Sequence, residues 1–518
     1  MMKKTATKIL CGLLASALIL PVFTGCNPEE EEEYKINMDI DLTQKIDLKV
    51  LMPNSGRDIK AVNEDDNAKL IKELTGYNVT YSQLPASDAS SNLNTQMIAR
   101  EEYHAMKLTT AQFADLIALD VLLPLDEALD KFGPELKRVI SKESWDVATV
   151  DGKIYGIPER ASSDNIENPI VFRYDWLNAL NMEVPTTLDE FTATLHAIKA
   201  AYNVTPLTYD QYTPLIYSIS AAFGIYTEWQ EYNVNGETKV LYYMEAPRYN
   251  EYVNYMAGLK AEGLIAQDAQ TKDSSTAIQE FGSGRAGAIA TSLWSVSAIV
   301  QTLAENGVIS SLQAAGTQEN TLAYLRSLQN ANGEFKVYRT SGYTYITAIP
   351  FYMAENAGYA IDWMNSKITD NDTVHNFRDI VLGTENVHWT LSAKGDYLPV
   401  AENFAQKDQA SYYLTGSNEL VYTQYWKARV RKVAELFRAW DELMTDADTV
   451  GVRNIADAMP PIAEYSANRG KIELYAQSQY FIMLSEGGAG KLATYLQKFN
   501  NDGGKAATDA INAWYKNR

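Results

Sequence analysis

Apolar and polar positions alternate through residues 45–52 (KIDLKVLM) and the run stops at Pro53, so it reads as the first strand. The polar loop behind it, Asn54-Ser55-Gly56-Arg57, lies at the strand's carboxyl end. In open α/β sheets ligands sit at that edge, which makes Asn54 and Arg57 candidate ligand contacts. A helical period follows, started by Asp65 or Asp66, with Leu70, Ile71 and Leu74 on one face and Gly76 as the stop. Tyr77, Val79 and Tyr81 alternate as a second strand, and residues 92–100 read as another helix. This βαβα opening predicts a largely parallel sheet.

The middle of the chain continues in the same manner. Val150-Asp151-Gly152-Lys153 predicts a tight hairpin turn, 154–158 (IYGIP) a strand ended by proline, and 171–174 (VFRY) a strand feeding a short helix. Thr187, with Glu190 three residues later, forms a capping box before a helix over 188–201. Residues 206–210 (PLTYD) look like a short strand and loop, and Asn235-Gly236 marks a hairpin. Residues 250–262 predict a helix stopped by Gly263, 304–336 helix and loops, 342–350 (GYTYITAIP) a strand, and 354–365 a helix that buries Trp363. The last third, including 426–445 and 486–518, is helix-rich.

With 518 residues, 46% of them apolar, the chain is long enough for two to four domains with ordinary cores. Its formal net charge of −21 argues against a nucleic-acid partner, because phosphate binding needs clustered Lys and Arg. A neutral or cationic ligand fits better. The 33 tyrosines and 9 tryptophans suit a wet site that stacks on flat apolar faces, although most of the tyrosines are expected to line helix faces. Both cysteines, Cys11 and Cys26, stand near the start, so the body of the chain has no disulfide framework and no Cys-based metal site.

Enzyme chemistry finds little footing. The four histidines, His104, His196, His375 and His388, are scattered singly without an HExxH, and no G-x-S-x-G elbow occurs. Asp370-Asn371-Asp372 lacks the glycine and terminal glutamate of a calcium loop and reads as a turn, so neither a metal nor a cofactor is expected. Gly282, Gly284 and Gly287 have the spacing of a nucleotide fingerprint. A helical pattern precedes them and a small-residue strand follows, the reverse of the context that fingerprint needs. The two carboxylates of a glycosidase come from distant segments, so a surface glycan hydrolase or lyase stays open as an alternative.

The start of the chain has the logic of a targeting segment. Lys3, Lys4 and Lys8 precede an apolar run, 9–23, too short for a stable membrane span. Phe23-Thr24-Gly25-Cys26 resembles the lipobox of bacterial lipoproteins, with Phe and Thr in place of the usual Leu and Ala or Ser. The resemblance implies a signal peptide over 1–25 and lipidation of Cys26. Residues 26–44, with glutamates at 29–33, then read as an acidic, solvated tether.

A wider resemblance rests on DGKIYGIP (151–158), FRYDWLNAL (172–180) and PTTLDEF (185–191), supported by LPLDE (123–127), FGSGRAGAI (281–289) and GTENVHW (383–389). Together these resemble the sugar-binding lipoproteins that serve bacterial ABC importers, relatives of maltose-binding protein. The resemblance implies an α/β, two-lobed periplasmic-binding-protein-like fold with a ligand cleft and hinge between the lobes. Residues 45–156 plus about 342–400 would form lobe 1, and 157–341 plus about 401–518 lobe 2. The chain would first cross at Ile157-Pro158-Glu159, with Glu159 touching the ligand.

The same resemblance implies that Trp294 stacks on a sugar ring, that Trp389 is a second stacking residue, and that Asp210 and Tyr212 face the cleft from the second lobe. The family's Pro-Asp corner is replaced here by 103–110 (YHAMKLTT), which leaves Thr110 and Gln112 to supply its hydrogen bonds. Arg173, Asp175 and Trp176 are expected to be structural. The implied function is capture of a carbohydrate, an oligosaccharide, by hinge closure and its delivery to an ABC permease. The protein would act as a monomer, lipid-anchored to the outer face of the cytoplasmic membrane. A glycan-binding lipoprotein not coupled to an ABC permease, and a peptide-binding importer subunit, are the other readings.

Overall fold

A computed structural model of the chain describes residues 35–160, 166, 168–213, 215–309, 321–340, 342–407 and 409–517. The signal-peptide segment 1–25, the lipidation residue Cys26 and the glutamates at 29–33 lie outside the described residues, as do 310–320 of the stretch predicted as helix and loops. Among the described residues no helix is long and apolar enough to cross a membrane.

Two sheets organise the body. Strands β1 (Leu48–Met52), β2 (Val79–Gln83), β3 (Ala105–Thr109) and β4 (Gly156–Arg160) come first in the chain. They are followed by β5 (Ile170–Arg173), β6 (Leu207–Thr208), β7 (Ala288–Ala290), β8 (Leu322–Leu325) and β9 (Tyr343–Ala348). The first sheet is five-stranded in the order β2-β1-β3-β9-β4, with β1 parallel to β2 and β3 and with β9 antiparallel to both β3 and β4. Its inner strand β1 buries Leu48, Val50, Leu51 and Met52, as a strand covered on both faces must. The second sheet runs β8-β5-β7-β6, with β5 antiparallel to its two neighbours and β7 parallel to β6.

Local signals set the helices used below. Helix α1 (Asp66–Thr75) is capped by the Asp65 carboxylate, which accepts from the Asn67 N–H, and ends at Gly76 with φ 75°. Helix α2 (Thr110–Ala118) opens with a capping box between Thr109 and Gln112, and α3 (Leu188–Tyr202) with the one predicted between Thr187 and Glu190. Further on come α4 (Tyr422–Arg431), α5 (Ala434–Met444) and α6 (Ala463–Ser485). The predicted hairpin turn at Asp151-Gly152 is present, with φ of 50° and 78° between paired strand residues Val150 and Lys153.

The tyrosines are mostly architecture. Tyr209, Tyr242, Tyr249, Tyr252 and Tyr480 are fully buried in the second lobe's core around Trp229, and Trp363 is buried in the first lobe. Arg173 is held by Asp175 and lies 5.0 Å over the Trp176 ring, which stacks on Tyr202 at 3.9 Å, so this cluster fastens β5 to α3.

The lobes divide differently from the sequence expectation in two places. Pro158 does not end its strand. Ile157, Pro158, Glu159 and Arg160 all pair with β9, and β4 is the edge of its sheet, a place where a residue lacking an N–H is tolerated. The first crossing therefore follows Arg160, and the second sheet begins at Ile170. Residues 401–518 also do not all join the second lobe. The Tyr413 hydroxyl donates to Val62 O at 2.8 Å and Tyr412 to Pro53 O at 3.0 Å, which ties this segment to the first lobe. Helix α4 then carries the chain across. Val430, Leu436 and Trp440 lie in the second lobe's core with Ile289 and Val296, and α6 belongs there too.

Candidate functional site

A cavity of about 970 Å³ opens between the lobes. It stands near the top of the ~300–1,000 Å³ range usual for small-molecule sites, so it has room for several linked rings rather than one. From the first lobe Thr110, Asp115, Glu159, Tyr345 and Tyr412 reach it, and from the other side Trp294, Trp426, Tyr465, Arg469 and Glu473.

Trp294 is placed by a short turn after β7. Ser292 accepts from the Trp294 N–H at 3.3 Å, Leu293 turns inward and is fully buried, and the indole is left half-buried on the wall. It meets Trp426 of α4 edge-to-face, with centroids 5.9 Å apart and planes at 87°. Edge-to-face pairs hold each ring in a fixed orientation while leaving a face uncovered. On the first lobe, Tyr345 of β9 and Tyr412 add further rings to the lining.

Below Tyr345 lies a buried ion pair. Lys107 Nζ stands 3.0 Å from Glu159 Oε1 and 2.8 Å from Oε2, and 4.6 Å from the Tyr345 ring centroid. The same ammonium is within hydrogen-bond reach of the carbonyls of Ser411, Tyr412 and Leu414. Desolvation pulls the Lys107 pKa down and pushes that of Glu159 up, while each partner's charge opposes the shift. Glu159 is thus on the wall, yet its carboxylate is committed to Lys107.

Helix α6 contributes Tyr465, Arg469 and Glu473, spaced four residues apart on one face. Arg469 Nε donates to Glu473 Oε1 at 2.7 Å. Beside them Glu228 is largely enclosed. Burial first, then repulsion from Glu473 and Asp457, pushes its carboxyl up to about 7, with Arg469 pulling the other way.

The structure brings together only part of the residue set expected from the sequence. Trp294, Glu159 and Thr110 line the cavity. Gln112 does not, because its side chain accepts from the Thr109 N–H to cap α2. Asn54 latches its own loop, donating to Leu84 O and accepting from the Gly56 N–H, and Arg57 is held by Asp65 at 2.7 Å. Asp210 is buried and accepts from the Tyr212 N–H and the Thr213 and Ser274 hydroxyls, while Tyr212 is 69% exposed away from the cavity. Trp389 is 1% exposed and donates to Gly383 O at 2.8 Å, so it anchors a loop and has no face to offer a sugar. Asn371 Oδ1 accepts from the Thr373 and Val374 N–H groups, which makes 370–374 the turn expected.

Sequence reasoning missed Lys107, Asp115, Tyr412, Trp426 and the α6 stripe. Lys107 had a legible signal, since a lone charge inside the apolar run AMKLT must find a buried partner. The spacing of Tyr465, Arg469 and Glu473 was also readable as a face, though not as one that meets a cavity.

The fold and its inter-lobe cavity define a two-lobed ligand-binding protein. Residues 68–342, more than half of the chain, match the family described as bacterial extracellular solute-binding protein, and the chain belongs to that family. An uncharacterized protein in the butB 5' region of Niallia circulans is 28% identical over 271 residues, 52% of this chain and 99% of that one. The fructooligosaccharide ABC transporter substrate-binding protein FusA of Streptococcus pneumoniae is 25% identical over 210 residues, covering 38% of this chain and 39% of FusA, so the chain spans about two fifths of that relative. The solved HMO-binding, ABC-transporter-associated solute-binding protein of Bifidobacterium longum infantis shares the fold, with a TM-score of 0.65 at 16% identity over 91% of this chain and 98% of the other.

Proposed function

We propose that this protein is the substrate-binding lipoprotein of an ABC importer, and that it captures an oligosaccharide between its lobes and delivers it to the permease. The observation that carries this reading is the wall itself. Trp294 and Trp426 on one side and Tyr345 and Tyr412 on the other surround a cavity large enough for several linked rings. Sugar rings present flat C–H faces to aromatics and hydroxyls to their edges, so such a wall suits a glycan. No bond is broken in this scheme; the protein binds its ligand and releases it unchanged.

In this reading capture proceeds by closure of the lobes on the ligand. A ligand that contacts both lobes stabilises the closed arrangement over the open one, and the permease reads that difference. Micromolar capture corresponds to about 8 kcal/mol in all. In this reading the protein works as a monomer, held through lipidated Cys26 and the acidic tether at the outer face of the cytoplasmic membrane.

A panel of oligosaccharides read by thermal shift, with small-angle scattering on the hits, tests the proposal. A rise in unfolding temperature together with a fall in radius of gyration is expected. A particle unchanged by every glycan in the panel would sink the reading.

A further inference from the structure

The charges around the cavity are not equally free. Two cationic and four acidic side chains line it: Lys107 and Arg469 against Asp115, Glu159, Asp457 and Glu473. Lys107 is 1% exposed and surrounded by Glu159 and three backbone carbonyls, so its three protons are spent. Arg469 is bonded to Glu473, and Glu228 adds further negative potential beside it. Lys107 cannot meet a ligand carboxylate without giving up Glu159, and the single charge of Arg469 is already balanced by Glu473, which its Nε holds.

Asp115 is different. It projects into the cavity wall from α2, about one and a half turns beyond Thr110, and its carboxylate accepts no hydrogen bond from any described residue. The surrounding lobe half-buries it, and that desolvation alone raises its pKa. It occupies the corner where Gln112, turned back to cap the helix, supplies nothing.

The geometry points to Asp115 as a specificity-determining residue that accepts hydrogen bonds from the hydroxyls of an uncharged oligosaccharide and turns uronate-bearing glycans away. This rests on the oligosaccharide reading above and narrows it to one chemical class. A carboxylate accepts two hydroxyl hydrogen bonds with charge assistance, whereas a uronate beside it brings like charge into a site whose cations are already paired.

The test uses the full chain and two matched series, neutral oligosaccharides (fructo-, malto-, xylo-, manno- and galacto-) and oligouronates (galacturonate, mannuronate) of two to six units, by titration calorimetry. At least one neutral series is expected to bind about a hundredfold tighter than any uronate. Asp115→Asn, close in shape, should weaken the neutral ligand by about ten- to a hundredfold while leaving the ligand-free unfolding midpoint unchanged, and should narrow the gap to uronates. A uronate that binds as tightly as the best neutral glycan overturns the proposal and leaves the oligosaccharide reading standing. A neutral ligand that ignores Asp115→Asn removes the role of Asp115 alone. Silence from both series brings down the oligosaccharide reading and this inference with it.

Discussion

Lys107 and Glu159 face each other beneath the cavity floor, with 2.8 Å between Nζ and Oε2 and with 1% and 7% of their side chains exposed. The pair joins β3 to β4 through the intervening β9, and the lysine also gathers the carbonyls of Ser411, Tyr412 and Leu414. A single buried ammonium thus holds the returning segment that carries Tyr412 into the wall.

Removing one partner strands the other charge in a low-dielectric interior. Lys107→Met is expected to lower the unfolding free energy by about 3–5 kcal/mol in denaturant titrations, and the double variant Lys107→Met, Glu159→Gln to recover a large part of it. A double variant no more stable than Lys107→Met would show that the cost arises from the carbonyls of residues 411–414 instead.

Trp294 and Trp389 should separate cleanly, because one lines the cavity and the other is sealed inside the first lobe. Trp294→Ala is expected to weaken glycan binding by about 1–3 kcal/mol with little change in stability. Trp389→Ala should cost about 3–5 kcal/mol of stability, through the void and the unpaired Gly383 carbonyl, with affinity retained by the folded fraction. Paired melting and binding curves for both variants decide it.

Glu228 sets a pH dependence whose sign is fixed by the direction of its shift. Its carboxyl stands at about 7 in the folded protein against an ordinary 4.5, so the folded state holds the proton more tightly than the unfolded one. Its contribution is fully present below about pH 4.5 and is lost as pH rises through about 7. Glu228→Gln should therefore match the parent near pH 4.5 and exceed it at pH 8 by on the order of 1–3 kcal/mol. Unfolding curves of the two proteins across that window, compared as differences, check the slope; an equal or greater loss in the variant would contradict it.

Gly416 sits where the returning segment passes β4, with φ 141°, and an added Cβ would lie 2.8 Å from Ile157 Cγ2. Gly416→Ala is expected to cost at least ~1–3 kcal/mol, since an L side chain rarely adopts that backbone and the close neighbour belongs to a fully buried strand residue. A melting temperature equal to the parent's would show that the loop can rebuild.

Many elements of both lobes were legible because their signals are local. The strand in 45–52, the stop at Gly76 and the capping box at Thr187 each depend on residues within one turn or strand; the stop and the box are present as read, and the strand is present as Leu48–Met52, buried on both faces rather than alternating. The lobe boundary was misjudged where a local rule met a tertiary exception, Pro158 being tolerated because β4 has a free edge. The candidate site fared worse for the same reason. Asn54, Arg57, Gln112 and Asp210 are the residue types that bind hydroxyls, and in the fold each is consumed by its own loop or helix cap.

By itself the sequence determined many of the helices and strands, though not β8 (Leu322–Leu325) inside a stretch read as helix and loops, the acidic balance that argues against nucleic acid, and the motif set whose family the chain proved to share. Only the tertiary structure decided which rings meet on the cavity wall and which charges remain uncommitted. Hydrogen bonds at caps and turns are short-range and can be read from spacing. The pairing of Trp294 with Trp426, or of Lys107 with Glu159, joins residues far apart in the chain whose meeting depends on the packing of every element between them.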